Sequence, residues 1–167
     1  MRTVRPALIA AAACTVALLA FAGCGGGSSE PVASGPPGAS GAAGGIDRKI
    51  LARDTPANAP GQTLYLEEVE IAPGAELPAH FHDGTQIASV RSGILTYDIV
   101  EGSAAVTRAD GDTERIVAPA EITLRPGDSL TETRSLVHYG SNRGDEPVVI
   151  SVAALLKDGA PLAIPVK

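Results

Sequence analysis

Turn signals cut the stretch from Gln62 to Leu156 into short apolar runs: Pro73-Gly74, Ser92-Gly93, Ala109-Asp110-Gly111-Asp112, Pro126-Gly127-Asp128 and Asp145-Glu146-Pro147. Proline, glycine and aspartate supply the backbone angles and local hydrogen bonds of tight turns. The runs between them are Ile87 to Val90, Ile94 to Val100, Ala105 to Arg108, Glu114 to Val117, Ile122 to Leu124, Ser129 to Thr133 and Val148 to Leu156. None is long enough for an amphipathic helix or carries a helical period. The first run, Gln62 to Ile71, alternates Leu64, Leu66, Val69 and Ile71 with polar residues and breaks step once, which predicts a β-bulge. Many short strands without helices define an all-β sandwich or barrel.

The N-terminal third has a different character. Arg2 and Arg5 precede an uncharged run from Pro6 to Gly23 rich in Ala, Leu and Val, the pattern of a secretory signal, and too short to favour a membrane span. The run ends in Phe21-Ala22-Gly23-Cys24, which resembles the lipobox of bacterial lipoproteins, with Phe21 where Leu is usual. On that resemblance Cys24 becomes the lipidated N-terminus after residues 1 to 23 are removed. Cys14 would be discarded with the leader, leaving Cys24 the only thiol of the mature chain, so an internal disulfide is excluded. Apart from Cys24, Val32 and one charge, Glu30, residues 24 to 45 are Gly, Ser, Ala and Pro, and read as a flexible tether. A single folded domain over 46 to 167 follows. Thirteen Lys and Arg, less Arg2 and Arg5, leave 11 against 19 acidic residues, a net charge of −8. That balance excludes nucleic acid as a partner, and membrane attachment would rest on the acyl chain.

The chain contains 3 histidines. In an extended strand His80 and His82 share a face while Phe81 points away, so two imidazoles converge. A divalent metal needs more ligands than two, and His138 is the one remaining histidine that could join the pair.

The spacing of these residues resembles that of the cupin superfamily. Gly74, five residues, His80-x-His82, three residues, Gln86, six residues and Gly93 match the first cupin motif, with Gln86 where Glu is usual. Gly127, five residues, Thr133, one residue, Ser135, two residues, His138, three residues and Asn142 match the second, with Thr133 and Ser135 in place of Pro and Gly. The resemblance covers roughly residues 60 to 156. It implies a small double-stranded β-helix, or jelly roll, holding one divalent transition metal (Fe, Mn, Ni, Cu or Zn) on His80, His82, Gln86 and His138. Gly74, Gly93 and Gly127 would be turn positions and Asn142 a structural residue. Pairing into a homodimer through the sheets is a further implication.

Gln86 is the main departure. A carboxamide is a neutral donor that cannot take up a proton near neutral pH, so a three-His, one-Gln site leaves the full +2 charge uncompensated. Alternatively Gln86 does not ligate, and three histidines leave positions open to water or substrate. The sequence identifies no carboxylate beside the histidines. Asp83 reads as a solvated turn residue, Arg91 stands where an apolar residue is usual, and Tyr97, Tyr139 and Arg134 are candidates for the mouth of the barrel. Three readings fit: an exported, lipid-anchored metal enzyme acting on a small organic molecule (a dioxygenase, isomerase or lyase); a non-catalytic module, sensory or accessory, that binds metal or a small ligand; or a barrel in which the metal is structural. No catalytic residue can be named.

Overall fold

The structure, a computed structural model, describes residues 44–166; the expected leader, Cys24 and nearly all of the tether lie outside the described residues. Among the described residues there are strands and no helix, and so no helix long and apolar enough to cross a membrane. In chain order the strands are β1 (Ile46–Asp54), β2 (Gln62–Ile71), β3 (His80–Phe81), β4 (Gly84–Ser92), β5 (Leu95–Glu101), β6 (Ser103–Thr107), β7 (Thr113–Val117), β8 (Ala120–Leu124), β9 (Ser129–Thr133), β10 (Val137–Ser141), β11 (Val148–Lys157) and β12 (Ile164–Pro165). They form a 7-stranded sheet in the order β1-β2-β11-β4-β9-β6-β7 and a 5-stranded sheet in the order β12-β3-β10-β5-β8. Every pairing is antiparallel.

The two sheets share one core. Ile71, Val106, Leu124, Leu136, Val148 and Leu156 are fully buried. Their inward rows follow the two-residue period of the strands, and β11 alternates buried Val148, Ile150, Val152, Ala154 and Leu156 with more exposed neighbours. This is the sandwich of a jelly roll, in which connections cross repeatedly from one sheet to the other.

Strand β2 corrects one expectation. It has no bulge: Thr63, Tyr65, Glu67, Val69 and Ile71 form one uninterrupted inward row, and Leu64 and Leu66 face outward. The apparent break arises because an acid, Glu67, holds an inward position. The register shift is on the partner strand, between Ile50 and Ala52 of β1. Strands β1, β10 and β12 are not among the runs read from the sequence, and of the extended pair His80 and His82 only His80 lies within β3. β1 is an edge strand paired only to β2, and apart from inward Arg48 its charged residues are exposed and protect the edge; β3 and β12 are two residues each.

Two glycines show why the chain can cross between sheets at the two ends of β4. A Cβ on Gly84, where β4 starts, would lie 2.2 Å from the Leu155 carbonyl oxygen, so only glycine lets β4 approach β11. Gly93 adopts φ 74° between β4 and β5, with the Pro147 carbonyl 2.6 Å from any added Cβ. Gly74 and Gly127 also turn with positive φ. Asn142 is buried; its amide nitrogen donates to the Ile71 and Glu146 carbonyls, and its oxygen accepts from Gly144 N–H. It ties the end of β10 to β2. Ser135, in a position usually held by glycine, needs no positive φ here.

Candidate metal centre

The centre is built from two cross-strand pairs, one in each sheet. In the 5-stranded sheet His80 of β3 lies opposite His138 of β10; in the 7-stranded sheet Gln86 of β4 lies opposite Glu132 of β9. His82 follows β3 directly, where the chain passes from one sheet to the other. All five side chains are buried, none more than 6 % exposed.

The three imidazoles offer ring nitrogens within 4.8 Å of one another. His80 Nδ1 is 2.7 Å from the Pro78 carbonyl and His82 Nδ1 is 2.6 Å from that of Leu162. A carbonyl only accepts, so each Nδ1 carries the proton and each Nε2 presents a lone pair. Hydrogen bonding of this kind fixes the tautomer and aim of metal-ligating histidines. Burial, followed by the neighbouring His138, lowers the His80 pKa to about 4, so the imidazole is neutral at pH 7. Burial lowers that of His138 also.

Glu132 completes the cluster, and it corrects the expectation that no carboxylate accompanies the histidines. Its Oε2 lies 3.3 Å from His82 Nε2 and its Oε1 3.3 Å from His138 Nε2. Tyr97, whose ring stacks on that of His138 at 5.1 Å, donates its hydroxyl to Glu132 Oε1 at 2.7 Å. Burial works to raise the Glu132 carboxyl. The neighbouring imidazoles of His138 and His82 and the hydrogen bond from Tyr97 outweigh it and hold the group below the ordinary carboxylate range. The sequence carried one signal for this residue: an acid on the inward parity of β9, in step with Leu130.

Gln86 is oriented with its amide nitrogen toward the centre, 2.9 Å from His82 Nε2 and donating to Glu132 Oε2. Its Oε1 is buried without a partner among the described residues. A half-turn of the terminal amide would bring that oxygen to the centre instead. The other candidates separate. Tyr97 lies in the site, while Asp83 pairs with exposed Arg134 at 3.1 Å and so is more than a solvated turn residue. Tyr139 is on the opposite face of β10, and Arg91 is exposed.

The donor set fits a metal ion. The Nε2 lone pair of His82 faces the Glu132 carboxylate at 3.3 Å inside the core, and a cation between the two acceptors would satisfy both. Three imidazoles with one carboxylate suit a divalent transition metal.

An all-β jelly roll with a buried three-histidine cluster between its sheets defines the class. The profile of the cupin domain family matches residues 67–154, more than half of the chain, and the protein belongs to that family. No curated protein matches the sequence. Among solved structures it is similar to a cupin-like protein from Thermotoga maritima (19% identity, 72% of this chain and 75% of that one, TM-score 0.48). It is also similar to a cupin 2 domain-containing protein from Halorhodospira halophila (14% identity, 74% and 71%, TM-score 0.45). An oxalate oxidase matches at 22% identity and TM-score 0.46; 62% of this chain is covered, but less than half, 46%, of the oxalate oxidase.

Proposed function

We propose that this cupin binds one divalent transition metal on His80, His82, His138 and Glu132, and uses it to bind and act on a small organic molecule. The observation that carries the reading is the convergence of His82 and His138 Nε2 on the Glu132 carboxylate, each at 3.3 Å, beside His80. Glu132 supplies the negative charge that Gln86 lacks, so the ligand charge matches that of a three-His, one-carboxylate site with the acid moved one strand across the sheet. Gln86 serves as a fifth donor when its amide turns its oxygen inward, and as a hydrogen-bond donor to Glu132 when it does not. When bound, the metal would polarise an oxygen of the organic molecule. The chain's own residues hold the site: Pro78 and Leu162 carbonyls aim the imidazoles, and Tyr97 aims the carboxylate. Elemental analysis of protein purified without added metal tests the reading; about one transition-metal ion per chain supports it, and a metal-free protein that also binds none in titration defeats it.

Location and assembly belong to the same reading. The lipobox-like Phe21-Ala22-Gly23-Cys24 supports export and acylation of Cys24 on the outer face of a bacterial membrane; Cys24→Ser should move the protein from the membrane fraction to the soluble fraction. A homodimer is supported by the outer face of the larger sheet, where Leu66, Ala153 and Ile87 are neighbours in register and the two large residues are 45 % and 52 % exposed. Light scattering on the wild type and on Leu66→Lys with Ile87→Lys tests it: a dimer that becomes a monomer is the expected result.

A further inference from the structure

The cavity at the centre has a second polar wall that the metal reading does not use. A space of about 50 Å³ is bounded by His80, His138 and Glu132, by apolar side chains including Val69 and Ile150, and by Arg48 of β1. Register separates these groups. Gln86 and Glu132 share a row across the larger sheet with Ala154 and Tyr65, whereas Arg48 lies in the row of Val69 and Ile150. Two same-face steps along the strands lie between the rows, so Arg48 approaches the cavity from the side away from Glu132.

Arg48 is held by Glu67, the inward acid of β2, through a single contact from Nη1 to Oε2 at 2.7 Å. Glu67 is fully buried, and its Oε1 has no partner among the described residues. Such a pair is a poor device for stability, since two well-packed apolar residues would serve the core as well or better. It is a good device for presenting a guanidinium. One nitrogen is anchored, and the fork retains further N–H donors suited to the two oxygens of a carboxylate.

We propose that Arg48 grips one carboxylate of a short two-ended organic acid whose second oxygen group faces the histidine end, and that Glu67 is the positioning residue that holds Arg48 there. The inference rests on the metal reading for the other end of the molecule. The cavity, about 50 Å³, limits the molecule to a short acid of few carbons.

Calorimetric titration of the metal-loaded protein tests this, with malonate and succinate against the one-ended acids of matched carbon number, propionate and butyrate. The two-ended acids should bind at least tenfold more tightly. Arg48→Met should abolish that preference while leaving metal content unchanged. Arg48→Lys, which keeps a charge beside Glu67 but cannot offer two parallel N–H groups, should lose most of it; this variant covers a failure of the Met variant to fold. Glu67→Gln should weaken the preference through the loosened guanidinium, a change that a merely structural pair would not produce. Equal affinities for the two kinds of acid in the wild type, or a preference that survives Arg48→Met, would overturn the proposal and leave the metal reading intact. Failure to take up metal would overturn both.

Discussion

Gln86 on β4 and Glu132 on β9 are cross-strand partners, and the amide of one donates to the carboxylate of the other inside the core. Neighbouring inward positions on adjacent strands bring their side chains together. The site therefore has its carboxylate, supplied from β9 rather than from the motif position on β4.

That relationship predicts the outcome of exchanging the two groups. Glu132→Gln removes the negative charge and should weaken metal affinity at least tenfold, measured by competition with a chromogenic chelator. Gln86→Glu sets a second carboxylate against Glu132, so the metal-free protein should melt at a lower temperature while metal binds more tightly. The double exchange, Gln86→Glu with Glu132→Gln, should restore near-wild-type affinity; a double variant no better than Glu132→Gln would show that the two positions are not equivalent.

His138 joins the sheets' two contributions, lying opposite His80 and 3.3 Å from Glu132. His138→Ala should reduce bound metal to well under half an ion per chain by elemental analysis, by the loss of one of three imidazole ligands. Unchanged occupancy would exclude it as a ligand.

Tyr97→Phe removes the hydroxyl that donates to Glu132 Oε1 and leaves a buried carboxylate oxygen short of a partner. The expected cost to the metal-free protein is roughly 1–3 kcal/mol in urea unfolding. Saturating metal should return part of that loss, because a cation stabilises the same oxygen.

The metal-free protein should lose stability in mild acid. His80 has a folded pKa of about 4 against 6.5 for the free side chain, through burial first and then the nearby His138. Between those values the unfolded chain binds more protons than the folded one, so stability rises with pH. The contribution is fully present above about pH 6.5 and is lost as the pH falls to about 4; a shift of this size corresponds to roughly 3 kcal/mol. The lowered carboxyl of Glu132 continues the trend at lower pH. Thermal melts from pH 7 to 4 should show the decline, and His80→Asn should flatten it.

The turn signals and the two-residue period were enough to read the all-β class and most strands, because glycine, proline and aspartate act locally and a strand's burial repeats within its own length. The same locality let His80, His82 and His138 stand out as a rare residue type at motif spacing. Glu132 was hidden for a physical reason: an acid in a short strand looks like any solvated acid until the strand's partner and parity are known. Gln86↔Glu132 is a pairing across 46 residues that no local pattern encodes. Glu67 was masked similarly, its inward position misread as a bulge, and β1 was unreadable because an edge strand needs little apolar surface. The sequence by itself thus determined the fold class and the histidines, through local chemistry and period. Only the tertiary structure decided what accompanies them, since the meeting of Glu132, Tyr97 and Gln86 depends on strand register and on the facing of two sheets.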